Sequence, residues 1–241
     1  MNSTVERRPA TTITLPRPSS APRVDLYRAP HKGLRYLLAN LLLRMGSASF
    51  EEPGDARAVI DELEAALWAC DGHIEHEDRH VRPALAERAP TAIATLDAEH
   101  ADHAHQVAEL RALSSALAAA GTPEERRVVG DMLYLHFSVF VAETLAHMAY
   151  EERVVQPLLD RLLSIEELGA IHVAIVSSIP PPEMITFLRS MVPGANRAER
   201  AELVGSVKAN APPEAFEALM RELRPRLSPE DWADLTRRLE P

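Results

Sequence analysis

The chain has 241 residues, and its 36 acidic against 26 basic side chains give a net charge of −10. That balance excludes a dominant basic face for nucleic acid. One cysteine, Cys70, excludes a disulfide framework within the chain and predicts a reducing, cytoplasmic setting with Cys70 as a small buried side chain. Nine glycines amid abundant Ala, Leu, Glu and Arg favour helix. No apolar run approaches the roughly 20 residues of a membrane span, so no membrane partner is expected. Arg7 and Arg8 precede no hydrophobic segment, so no secretory signal is read.

Residues 1–27 read as a disordered or extended tail, because Pro9, Pro16, Pro18 and Pro22 interrupt any helix. Four long helical patterns follow. Helix A runs from about Pro30 to Gly46, with Leu34, Leu37, Leu38, Leu41 and Leu42 at helical spacing. Phe50 to Gly54 reads as a turn, and helix B as Asp55 to Arg88. Pro90 opens helix C, which ends before Gly121. Thr122-Pro123-Glu124-Glu125 joins a first-turn proline to a capping box and opens helix D, which reaches about Leu163. Short connections between long helices predict antiparallel neighbours, hence an all-α, up-down-up-down four-helix bundle over 28–163. Residues 164–241 are cut by prolines into about four short helices, a C-terminal extension that starts at the capping box Ser164–Glu167. Its last helix starts near Ser228-Pro229. Apolar stripes there, such as Phe216, Leu219, Met220 and Leu223, suit a cap on the bundle or a surface for a protein partner.

Helices B and D carry an internal duplication. H-I-E-H-E-D-R-H-V-R-P-A-L from His73 and H-M-A-Y-E-E-R-V-V-Q-P-L-L from His147 share H-x-x-x-E-[DE]-R-x-V-x-P-x-L at a spacing of 74 residues. His31 precedes His73 by 42 residues and His100 precedes His147 by 47, so each helical hairpin supplies one histidine from its first helix and an H-x-x-x-E from its second. Residues i and i+4 share a helix face, so His73 with Glu77, and His147 with Glu151, can reach one point in a bundle core. Imidazole with carboxylate suits iron, manganese or zinc better than a soft thiolate metal. Counting rises of about 1.5 Å per residue puts His31 and His73 within about 3 Å in level, whereas His100 and His147 differ by about 7 Å, which predicts a loose turn or a frayed start to helix D.

These motifs resemble the hemerythrin-like, or HHE, cation-binding family over about residues 28–163. The resemblance implies a two-metal centre, two iron ions or manganese or zinc in place of one or both. His31 and His73 would serve one metal, His100 and His147 the other, with Glu77 and Glu151 bridging. It differs from the oxygen-carrying members at Ala104, where they have a second helix C histidine, and in a helix D carboxylate four residues after its histidine instead of five. His103, Glu143 and His80 are further residues within reach of the centre. Arg35, one turn after His31, can pair with a carboxylate there. His136 shares the helical face of His147, and His105 points away to solvent.

Two other motifs overlap helix B. His76-Glu77-Asp78-Arg79-His80 matches the H-E-x-x-H of zinc proteases. Its charged middle, the lack of any edge strand and its absence from the repeat, where Tyr150 and Val154 stand, argue against it. The E-x-x-H of ferritin-like proteins needs two copies, and the ligand helices hold one. The functional expectation is a non-haem dinuclear protein that binds O₂ or NO or senses redox state or iron. The alternatives are a di-iron enzyme acting on peroxide or nitric oxide, and iron storage without turnover.

Overall fold

The computed structural model describes residues 24–86 and 88–240. Among them all regular structure is helical. Helix α1 (Arg28–Ser47) is followed by α2 (Pro53–His76), which passes through a π-helical turn (Glu77–Val81) into α3 (Arg82–Ala86). Helix α4 (Pro90–Ala119) leads to α5 (Pro123–Tyr150), which passes through a second π turn (Glu151–Val155) into α6 (Gln156–Leu162). α1 packs on α2 and α5, and α4 packs on the same two, which closes the up-down-up-down bundle.

The starts are set by local chemistry. Proline holds the first helical position of α2, α4 and α5, where its missing N–H costs nothing. Thr122 and Glu125 form the full capping box, so α5 does not fray at its start. The His100 and His147 rings still meet, with centroids 5.0 Å apart, despite the unequal counts along their helices. The turn before α2 ends earlier than the sequence suggests, since Pro53 and Gly54 already belong to the helix.

The two π turns interrupt helices that the sequence presents as continuous. They begin at Glu77 and Glu151, so they recur at the repeat spacing. In each, an N–H reaches back five residues, Arg82 to the Glu77 carbonyl and Gln156 to that of Glu151. The shared proline explains them. Pro83 and Pro157 have no N–H for the carbonyl of Arg79 or Arg153, and their rings crowd it. A turn widened by one residue relieves that clash.

The apolar core is split in two. Leu38, Leu63, Leu67, Phe137, Phe140 and Met148 belong to one cluster, and Tyr27, Val81, Leu85, Ile93, Val155 and Leu159 to the other. His31, His73, Glu77, Glu151 and His147 lie in the layer between them. The last residues of the expected tail are part of this fold. Leu26 and Tyr27 are buried, the Leu26 N–H donates to Gln156 Oε1 at 3.1 Å, and Asp25 Oδ1 accepts the N–H groups of Tyr27 and Arg28. Residues 1–23 of that tail lie outside the described residues. The stretch Pro123–Leu162 is, against the sequence expectation, long and apolar enough to cross a membrane by length and composition. Its inward face is buried in the bundle through Leu133, Phe137, Phe140 and Met148.

The extension forms five α-helices where about four were expected: α7 (Ile165–Ser178), α8 (Pro181–Gly194), α9 (Arg197–Asn210), α10 (Pro213–Leu223) and α11 (Pro229–Leu239). Capping boxes at Ser164 and Asn196 and a Ser228 cap set three of the starts. Leu188, Val192, Val204, Leu219, Leu223 and Leu235 give the extension a small core of its own. It docks through α8 on α1. A Cβ at Gly33 would meet Met191 Cγ at 2.8 Å, so only glycine allows this approach. Phe187 stacks on Trp68 of α2 with centroids 4.9 Å apart, and Lys32 and Arg28 pair with Glu199.

Candidate metal centre

The structure brings the six expected residues together between the two core clusters. His31 stands in the first turns of α1, His73 in the last turn of α2, His100 on α4 and His147 in the last turn of α5. Glu77 and Glu151 open the two π turns. One donor atom each from His31, His73, Glu77 and Glu151 lies within 4.8 Å of the others, and the same holds for Glu77, His100, His147 and Glu151. Two groups of four thus share both carboxylates. In the first group His31 Nε2 is 3.0 Å from His73 Nε2 and 3.2 Å from Glu151 Oε2, and His73 Nε2 is 2.9 Å from Glu77 Oε1. In the second, His100 Nε2 is 3.6 Å from Glu77 Oε2 and His147 Nε2 is 3.4 Å from Glu151 Oε2.

Hydrogen bonding accounts for only part of this gathering, the contact between the Nε2 atoms of His31 and His73. Both oxygens of Glu77, both of Glu151, and Nε2 of His100 and His147 are buried without a hydrogen-bond partner. Each such orphan costs on the order of 1–3 kcal/mol, more when charged. Burial pushes Glu77 up to about 8, and it raises Glu151 well above the carboxylate range, helped by the charge of Glu77. Desolvation lowers His31, His73 and His147, which leaves neutral imidazoles. Neutral imidazoles and partnerless carboxylates are what a hard or borderline cation requires, so the donor set fits iron, manganese or zinc.

The rings are oriented from behind. The Nδ1–H of His31 donates to Glu152 Oε1 at 3.0 Å, that of His100 to Asp78 Oδ1 at 3.0 Å, and that of His147 to Glu99 Oε2 at 2.8 Å. Each bond fixes the tautomer whose Nε2 lone pair faces inward. Arg35 holds Glu152 with both terminal guanidinium nitrogens, at 2.6 and 3.1 Å, as the sequence position of Arg35 suggested. Asp78 and Glu152 are the second acidic residue of the repeated E-[DE]-R. That repeat was the available signal for their role, and sequence reasoning did not use it. The position that matches Glu99 in the first hairpin is Pro30, and among the described residues no carboxylate reaches Nδ1 of His73.

The other candidates stand outside the two groups of four. His103 packs on Phe140 at 4.9 Å, and burial lowers its pKa to about 4. Its Nε2 is buried and partnerless, yet it does not join the ligand atoms. Glu143 accepts a hydrogen bond from Gln106. These residues, with Glu99, Thr144 and His147, line a cavity of about 250 Å³ between α4 and α5. His136 is at the surface, bonded to the Met132 carbonyl, and not on the inward face expected for it. His105 is exposed beside Glu109, as expected. His80 and His76 do not reach the ligand groups, so neither E-x-x-H nor H-E-x-x-H gathers a site. Cys70 is buried, and burial raises its thiol to about 12, which leaves it inert.

The model of the hemerythrin HHE cation-binding domain matches residues 23–159. The chain belongs to the hemerythrin HHE family. The match covers α1 to α5 and reaches into α6, and it does not include the C-terminal helices. This HHE chain is also 24% identical over 155 residues to F-box/LRR-repeat protein 5 of Mus musculus and, to the same degree, to that of Bos taurus. Those alignments cover 64% of this chain but only 22% of either relative, so the likeness concerns one part of those longer proteins. Cation binding is the property of the family, and the two His/Glu groups are where this chain has the donors for it.

Proposed function

We propose that this HHE chain holds two iron ions on His31, His73, Glu77, His100, His147 and Glu151 and uses them to bind O₂ or NO. One observation carries the reading: two four-donor groups share two carboxylates whose oxygens are all buried and partnerless. A paired iron centre supplies electrons and coordination positions for a small ligand. The chain's own residues prepare that place. Asp78, Glu99 and Glu152 hold three imidazoles with Nε2 inward. Ala104 is exposed and offers no further donor on α4, which leaves the second group with fewer nitrogens than an oxygen carrier has. The cavity at His147 gives a diatomic molecule a way in from solvent, and His103 faces that route.

Anaerobic purification, metal analysis and an optical spectrum before and after O₂ or NO test the proposal. Two irons per chain and a spectrum that reverses on ligand removal are expected. One metal or none in well-folded, iron-loaded protein overturns the dinuclear part. Steady consumption of peroxide or NO replaces binding with turnover, and indifference to every gas leaves storage.

A further inference from the structure

One polar group at the centre is not among the six. Tyr27 immediately precedes α1, its backbone is already helical, and its carbonyl accepts the His31 N–H at 2.9 Å. It therefore lies one turn before His31 on the same face. Because α1 runs antiparallel to α2 and α5, one turn before His31 is the level one turn after His73 and His147. Glu77 and Glu151 stand at that level.

The side chain of Tyr27 is 1% exposed, and its hydroxyl oxygen is buried without a hydrogen-bond partner. Its ring is 5.2 Å from that of His31 and shares a cluster with Val81 and Val155, the last residues of the two π turns. A buried tyrosine ordinarily finds a partner for its O–H, and phenylalanine would fill the same space at no polar cost. The segment is also tied in place, by Asp25 and by the bond from Leu26 to Gln156, the residue after the second π turn.

We propose that Tyr27 is a seventh donor, its phenolic oxygen coordinating the cation gathered by His31, His73, Glu77 and Glu151. Y-x-x-x-H at the start of α1 then parallels H-x-x-x-E at the ends of α2 and α5, an oxygen and a nitrogen donor one turn apart in each. Coordination replaces the O–H bond by an oxygen–metal bond, and the proton leaves to solvent. The inference rests on the proposal above that iron fills the centre.

The test compares the full-length chain with Tyr27→Phe after ferric loading, with iron content measured on both. The wild type should show a visible phenolate-to-iron charge-transfer band and the matching resonance-enhanced ring modes. Tyr27→Phe should lose both at equal iron content. A wild type without phenolate modes, or a Tyr27→Phe spectrum that keeps them, overturns the proposal. The chain has four tyrosines. A variant with Tyr36, Tyr134 and Tyr150 all changed to Phe therefore reads Tyr27 alone, whether or not Tyr27→Phe folds, and must keep the signature. An iron count below two in the wild type would instead count against the dinuclear reading, a result separate from the comparison of spectra at equal content.

Discussion

The two halves of the centre repeat one ligand frame and differ in what stands behind it. In the first half, the His31 side chain is wholly buried, and its Nδ1 partner Glu152 is gripped by Arg35. Outside α1 lies α8, close enough to require glycine at position 33. In the second half, His100 and His147 keep a tenth of their side chains exposed. His73 in the first half is as exposed as these two, and Glu152 at 34% resembles Glu99 at 37%; what sets the second half apart is Asp78, 47% exposed, and the cavity that reaches His147. The duplicated sequence brings equal ligands to both halves, and the C-terminal helices meet them differently: α8 packs on α1 beside His31, whereas α7 packs on the π turn that carries Glu77 and Asp78. A symmetry of donors is thus paired with an asymmetry of access.

The strongest break is the loss of a shared donor. Glu77→Ala or Glu151→Ala should empty both halves, because each carboxylate belongs to both groups of four, whereas His31→Ala should cost the first half only. Metal analysis after loading and desalting reads the difference, with His105→Ala as a control that changes nothing. Loss of a single ion from Glu151→Ala would show that the carboxylate serves one half.

Next come the carboxylates behind the histidines. Removing such a partner lowers metal affinity roughly 10–100-fold. Glu152→Ala should lie at the upper end, because it also strands Arg35 beside a fully buried His31. Asp78→Asn, half in solvent, should lie at the lower end. Chelator competition gives both values, and equal losses would contradict the asymmetry.

The pH response follows from burial. Glu77 is raised from 4.5 to about 8, and Glu151 moves the same way, so folding takes up protons at these groups. For such carboxyls the metal-free protein is most stable at low pH and loses stability as pH rises toward 8. The lowered histidines act oppositely, but their cost sets in as pH falls below their ordinary value of 6.5. Between pH 6.5 and 8 the carboxyls therefore dominate. The melting temperature of the metal-free chain should fall across that window, and Glu77→Gln should flatten the slope. The loaded chain should not show the fall, since the cation selects the ionised carboxylates.

Much of this was legible in the sequence, because helical period and duplication both act at short range. The i, i+4 geometry made Glu77 and Glu151 readable from their histidines, and Thr122 and Ser164 announced their helices. What escaped depended on chain segments far apart. Asp78 and Glu152 act on histidines of other helices, so only the repeated acid hinted at them. The π turns were written in Pro83 and Pro157, which read as repeat letters until the lost hydrogen bond was counted. Tyr27 fell into a stretch read as tail, because its burial comes from the π turns of α2 and α5, about 50 and 120 residues further along the chain. The outward placing of His136 shows the limit of a helical wheel: His147 lies at the edge of the buried face of α5, and eleven residues of drift carry its wheel-mate into solvent.

The smallest expected effect tests whether α8 is what closes the first half. In Gly33→Ala the new methyl group meets Met191 Cγ at 2.8 Å and the Met191 backbone at 3.0 Å, so α8 must shift away from α1 and not merely turn a side chain. The variant should still bind metal, because no ligand moves far and Glu152 still holds His31. Its melting temperature should drop by a few degrees, in keeping with an overpacked contact of about 1–3 kcal/mol. The informative readouts are kinetic. Hydrogen exchange should speed up across residues 184–192, and release of one of the two cations to a chelator should quicken several-fold while the other keeps its rate. If both cations leave faster by the same factor, α8 stabilises the bundle as a whole and the closed half is closed by His31, Glu152 and Arg35 alone. If neither changes while exchange across 184–192 rises, the C-terminal helices cover the centre without governing access to it.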